Sequence, residues 1–120
     1  MENNYEKIPN RYYNTILDLI NSCSKENTQL DDDGYHDYTE EQYIKIAIDF
    51  VNKYKDIPIF FIVPQLNTHG IILDYRTVDN DISVIIVINY NGLNMHIFEN
   101  ASLGYNGIFD ESIFLNKLIV

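Results

Sequence analysis

The sequence predicts an α+β fold: two N-terminal helices, a four-stranded, mainly antiparallel sheet in meander order, and a short C-terminal helix. Three observations predict it. Ahead of Pro58, apolar residues recur at three- and four-residue spacing, the period of a helix face. Beyond Pro58 the period changes, and IFFIV, GIILDYRT, ISVIIVINY and LNMHIFE are β-branched or aromatic runs of strand length. The links between them, NTHG, VDND and YNG, are short and rich in turn-forming residues, which favours antiparallel neighbours.

In the first helix, RYYNTILDLINSC follows Pro9, with Asn10 as the expected N-cap and Tyr13, Ile16, Leu17, Ile20 and Cys23 on one face. SKENTQL breaks that pattern. Thr39 followed by Gln42 has the form of a capping box for the second helix, with Glu40 and Glu41 in the first turn, where the helix dipole favours negative charge. Ile44, Ala47, Ile48 and Val51 then form a stripe widened by Tyr43, Ile46, Phe50 and Tyr54, broad enough to contact more than one neighbour. Lys53, Lys55 and Pro58 close it. Among the strands, ISVIIVI is continuously apolar, as expected of a central strand buried on both faces. Asn91-Gly92 is the strongest hairpin signal, since both residues tolerate positive φ. Asp110 can cap the final helix, ESIFLNKLIV.

With 120 residues, 46% of them hydrophobic and 22% charged, the chain reads as one globular domain spanning residues 1–120. A chain of this size buries roughly two-thirds of its unfolded surface. There is no internal repeat, low-complexity tract or interdomain linker. Cys23 is the only cysteine, so no intrachain disulfide can form, which fits a reducing compartment. MENNYEKIPNRYY lacks the apolar stretch of a signal peptide, and IPIFFIVP and ISVIIVI are too short to span a bilayer. The expected location is therefore cytoplasmic. The abundance of Ile, Asn and Tyr points to an AT-rich coding genome, bacterial or phage; a phage product would act in the host cytoplasm.

Charge excludes several functions. Asp and Glu total 18 against 8 Lys and Arg, a formal charge of −10. Nucleic acid and anionic membranes are bound by setting Lys and Arg against phosphate, so this chain should be repelled by both. Its attractors are cations or basic protein surfaces. The acidity peaks in LDDDGYHDYTEEQY (residues 30–43), which holds six carboxylates and three tyrosines with no Lys or Arg.

Calcium is one candidate occupant of that stretch. With Gly34 at the glycine of an EF-hand loop, Asp31 and Asp33 fall at ligand positions, Asp37 at the position often bridged by water, and Glu40 at the closing bidentate position. Gln29 stands where a carboxylate should begin coordination, and His36 where an apolar residue should pair with a partner loop. Zinc has less support, because Cys23, His36, His69 and His96 include no close pair. Cys23 reads as a packed residue of helix one. The sequence contains no G-x-S-x-G nucleophile motif and no phosphate loop. Asp74 and Glu99 could supply two carboxylates on adjacent strands, although acids at strand ends are usually solvated. No cofactor, metal or enzymatic activity is expected.

The order of features from Leu30 to Glu99 resembles a loose class of small bacterial proteins of unknown function. Their pattern is an N-terminal helix, a W-D-G turn, a helix rich in Ala, Phe and Leu, then "P…DGGI.LEW" and strands ending near a D-G turn. The corresponding stretches here are D-D-G-Y (32–35), A-I-D-F-V (47–51), P-Q-L-N-T-H-G-I-I-L-D-Y (64–75) and Y-N-G-L (90–93). Asp32 and Tyr75 stand where that pattern has tryptophans. The resemblance implies an α+β layout with Asp33-Gly34 as a turn into helix two, and it implies no activity.

The function expected from these features is binding and inhibition or neutralisation of a basic protein, such as a nuclease, toxin or other nucleic-acid enzyme. Antitoxins, immunity proteins and phage-encoded inhibitors of the anti-CRISPR kind share this profile. Asp31, Asp32, Asp33, Asp37, Glu40 and Glu41 would supply the charge. Tyr35 and Tyr38, with Tyr43, would supply rigid amphipathic contact area. A calcium-stabilised domain and a homo-oligomer joined through exposed strand edges are the alternatives.

Overall fold

The computed structural model describes residues 10–26, 38–77, 79, 81–100 and 102–119. Its elements are α1 (Asn10–Ser22), α2 (Glu41–Lys53), β1 (Ile59–Pro64), β2 (Ile71–Arg76), β3 (Ile82–Asn89), β4 (Gly92–Glu99), β5 (Ser102–Ile108) and α3 (Glu111–Ile119). The strands form one antiparallel sheet in the order β1-β2-β3-β4-β5. The fold is therefore α+β with a meander, as the turn-rich links predict, but the sheet has five strands where the sequence suggests four.

The additional strand, SLGYNGI, contains two glycines, an asparagine and a serine, and is poor in β-branched residues. Local propensity argues against it. It exists because β4 offers a free edge, and it pairs from Asn94↔Ile108 to Glu99↔Ser102. A register shift at Ile97/Phe98 makes Gly104 an extra residue between Leu103 and Tyr105. The bulge places Leu103 and Ile108 on the same face, although they are five apart in sequence.

All three helices contribute to a core on one side of the sheet. Ile16 and Ile20 from α1, Cys23 just after it, Tyr43, Ile44, Ala47, Phe50 and Val51 from α2, and Phe114 and Leu118 from α3 meet Ile71, Leu73, Tyr75, Val84, Ile86, Ile88, Met95 and Ile97. The strand residues alternate, as a sheet covered on one face requires. Phe50 is central to the aromatic packing, with ring centroids of Tyr54, Phe109 and Phe114 at 4.9, 5.2 and 5.5 Å. Ile46 is exposed, so the stripe on α2 is narrower than its sequence suggests.

Two end signals behave differently from one another. Asp110 caps α3 as expected, its Oδ1 accepting the Ile113 N–H at 3.1 Å. The Thr39–Gln42 capping box does not form. Glu40 is the N-cap residue of α2 and makes no side-chain cap bond, while the Thr39 hydroxyl donates to the Gly70 carbonyl 2.8 Å away. The helix starts one residue later than the box requires, which leaves Thr39 outside it. The β3–β4 hairpin also shifts by one residue: Asn89 pairs with Gly92, Tyr90-Asn91 form the tip, and positive φ falls on Gly92 (94°).

The residues opposite the core form a second face. By register it carries Phe61 and Val63 of β1, Ile72, Asp74 and Arg76 of β2, and Ser83, Ile85, Val87 and Asn89 of β3. Asn94, His96 and Phe98 of β4 and Leu103, Asn106 and Ile108 of β5 complete it. Val87 is buried, yet it does not belong to the helix-side core. The expected burial of central β3 on both faces is met on the helix side but only in part on the other, where Val87 is buried, Ile85 is half-buried and no covering layer lies among the described residues.

Candidate partner-binding surface

The acidic segment lies between α1 and α2 and runs into the first turn of α2. Cys23 and Ser24 continue past the last turn, and Ser24 forms an isolated parallel bridge with Thr39. The Thr39 N–H donates to the Cys23 carbonyl at 2.7 Å, and its hydroxyl to Gly70. Glu40 N–H donates to the His69 carbonyl at 2.9 Å. The β1–β2 loop therefore grips the chain just before α2, and the stretch from Glu26 to Tyr38 starts and finishes at neighbouring points.

That grip depends on unusual backbone. Asn67 and His69 adopt positive φ (69° and 56°), which sequence reasoning anticipated only as a turn. Gly70 is required by close packing: a Cβ there would lie 2.2 Å from the Ile88 carbonyl oxygen and 2.7 Å from Asn89 Cβ. Gln65 joins the same junction, its Oε1 accepting from Thr68 Oγ1 at 2.6 Å and Asn89 Nδ2 at 2.7 Å.

Tyr38 stacks on His69, with ring centroids 4.0 Å apart and planes inclined by 15°. His69 Nδ1 lies 3.3 Å from the Tyr38 carbonyl, and Lys25 Nζ is 5.3 Å from the Tyr38 ring centroid. A surface depression of about 350 Å³ beside this stack is lined by Ser24, Lys25, Glu26, Tyr38, Thr39, Glu40 and Glu41. Glu40 and Glu41 are exposed at its rim. Tyr43 is buried in the core and contributes nothing to an exposed face. Asp31, Asp32, Asp33, Tyr35 and Asp37 lie outside the described residues. So do three of the four carboxylates expected of a calcium loop; the fourth, Glu40, occupies the N-cap position of α2.

The other chemical candidates are separated by the fold. Asp74 and Glu99 are not on adjacent strands, because β3 lies between β2 and β4. They also face opposite sides. Glu99 bonds to Lys117 of α3, whereas Asp74 pairs with Arg76 at 3.2 Å on the face away from the helices. Asp74 is only 5% exposed, and the Arg76 guanidinium lies 4.0 Å from the centre of the Phe60 ring. Cys23 is buried at the end of α1 and His96 is on the far side of the sheet, so they cannot share a zinc ion. Burial pushes the Cys23 thiol up to about 11, against a smaller opposing effect of the Ser22 hydroxyl, making thiolate chemistry unfavourable. No group of three potential metal ligands converges among the described residues.

Of the expected partner-binding residues, Tyr38, Glu40 and Glu41 lie among the described residues; His69 and Gly70, which contact Tyr38, Thr39 and Glu40, were not foreseen as their neighbours. The turn NTHG was visible, but not its acceptor role toward a chain segment thirty residues earlier. The β3 run signalled a second apolar side, but not that this side would lie uncovered among the described residues with Phe61 and Phe98 on it. No helix among the described residues is long and apolar enough to cross a membrane. Comparison with family models, curated proteins and solved structures finds no match to this chain.

Proposed function

We propose that this chain is a small acidic, non-enzymatic protein that binds a basic protein and inhibits or neutralises it through the segment around residues 30–41. The observation carrying this reading is that the chain on either side of that segment is tied together, Thr39 to Cys23, Ser24 and Gly70, and Glu40 to His69. Anchored ends reduce the conformational entropy that a charged segment loses on binding. Glu40 and Glu41 extend the charge onto the start of α2, and Tyr38 offers an aromatic side chain held by its stack on His69. The charge of −10 would accelerate encounter with a cationic surface. Antitoxin, immunity protein and phage-encoded inhibitor are the roles that suit such a binder.

The test is affinity capture from the native host, or from its phage-infected cells, at low and high salt. The wild-type chain should retain a basic protein whose recovery falls as salt rises. A variant with Asp31, Asp32, Asp33 and Asp37 all changed to lysine should lose it. Equal capture by that variant, or capture only of acidic proteins, would refute the proposed surface.

A further inference from the structure

We infer that the sheet face opposite the helices is a homodimer interface, occupied by the same face of a second copy of this chain. Its exposed residues include large apolar ones beside Asn106: Phe61 is 49% accessible, Leu103 55% and Ile108 77%, with Phe60 at 60% on the adjoining edge. Val63, Ile72, Ile85, Val87 and Phe98 connect these residues across all five strands, and none belongs to the helix-side core. Single exposed hydrophobic residues are ordinary; apolar residues on all five strands of one sheet face, although Asn94, His96 and Asn106 interrupt them, are not.

Charge selects the occupant. Among the described strand residues, this face carries one acid and one fixed base, Asp74 and Arg76, and they neutralise each other at 3.2 Å. A chain of formal charge −10 has thus left a face with no net fixed charge. A basic partner would find no free carboxylate on it. Two copies of a strongly acidic molecule repel one another least where such a face meets its equal. The area is also adequate. Five strands about 4.8 Å apart, each about seven residues long at roughly 3.3 Å per residue, outline about 24 by 23 Å. Face-to-face contact would cover about 550 Å² per copy and ~1,100 Å² in total, just above the roughly 1,000 Å² expected of a specific interface.

The product is a four-layer particle, helices outside and two sheets within, with the sheets about 10 Å apart. Gly104 matters to this arrangement because its bulge brings Leu103 onto the contacting face together with Ile108. The inference rests on strand register and not on the acidic segment, so either reading can fail alone. They also predict opposite responses to salt. Dimerisation should tighten as salt screens the repulsion between copies, whereas binding of a basic partner should weaken.

Sedimentation equilibrium of the full chain over a concentration series, at low and high salt, tests the proposal. Wild type should approach twice the chain mass. The double variant Phe61→Lys/Ile108→Lys alters exposed side chains and should fold, as circular dichroism would verify, while its dimer Kd rises at least tenfold. A control variant, Leu19→Lys/Ile46→Lys, changes exposed helix residues and should dimerise as wild type does. A monomer at every concentration and salt overturns the inference. So does a dimer equally strong in both variants, which would place the contact at strand edges or helices, or one that weakens with salt.

Discussion

Tyr75 is fully buried between Phe50 and Phe114, with ring centroids at 6.0 and 5.2 Å. Its hydroxyl has no hydrogen-bond partner among the described residues. Such a group loses its hydration without compensation, so Tyr75→Phe should stabilise the fold by about 1 kcal/mol, measured by urea unfolding at neutral pH. Burial pushes the Tyr75 phenol well above its ordinary range, with a smaller contribution from the charge of Tyr54. A raised folded-state value means that the neutral phenol is favoured in the fold. Its contribution is fully present below the unfolded value near pH 10 and is lost as pH rises toward the folded value. Tyr75→Phe should therefore also flatten the alkaline decline in stability. Gly70 presents the opposite case. Gly70→Ala would force a Cβ to 2.2 Å from the Ile88 carbonyl in central β3, where the backbone cannot yield. A loss of roughly 1–3 kcal/mol is expected in the same unfolding experiment. An alanine at Gly104 meets nothing nearer than 3.6 Å and serves as a comparison.

At the scale of elements, the start of α2 is held by tertiary contacts in place of a self-contained cap. Thr39 reaches Gly70 with its hydroxyl and Cys23 with its N–H, tying α1, α2 and the β1–β2 loop at one point. Thr39→Val preserves shape and removes the hydroxyl, and should cost about 1 kcal/mol. Hydrogen exchange should show faster opening at Thr39 and Glu40 than at the middle of α2. Uniform destabilisation without local opening would contradict this role. The start of α3 is held both ways: Asp110 caps it locally, while Glu111 bonds to the Tyr54 hydroxyl and to Lys53 at 3.0 Å. The Tyr54 hydroxyl, followed by Lys53, holds the Glu111 carboxyl below the usual Glu range. These contacts join the ends of α2 and α3 across the aromatic cluster.

The whole molecule carries its negative charge unevenly. Asp18, Glu40, Glu41, Asp49, Asp56, Asp79, Asp81, Asp110 and Glu111 are on helices and loops, while the open sheet face has a neutralised pair. Self-repulsion at −10 opposes the compact state, so added salt should raise the melting temperature. Each Asp→Lys reversal in the acidic segment adds two charges, so reversing Asp31, Asp32, Asp33 and Asp37 takes the formal charge from −10 to −2. Thermal melts of that variant should show a much weaker salt response. An unchanged response would mean that repulsion is dominated by charges elsewhere in the molecule.

The sequence by itself determined the α+β class, the helix faces, four strands and the Asp110 cap, because each depends on residues within a few positions of one another. Periodicity in Ile16 and Ile20, β-branching in ISVIIVI and the turn residues around Gly92 are local signals. Within the candidate surface, the same locality made the acidic segment legible but not the contacts of Thr39 and Glu40 with Cys23, His69 and Gly70. Tertiary structure decided what local preference could not. It made a strand of Ser102–Ile108 by offering β4 as an edge. It moved the N-cap of α2 from Thr39 to Glu40, with the Thr39 hydroxyl donating to the Gly70 carbonyl. It separated Asp74 from Glu99 by inserting β3 and turning them to opposite faces. It gathered Phe61, Val87, Phe98, Leu103 and Ile108 onto one surface, because pairing register and the Gly104 bulge, set by contacts distant in sequence, decide which side each residue takes.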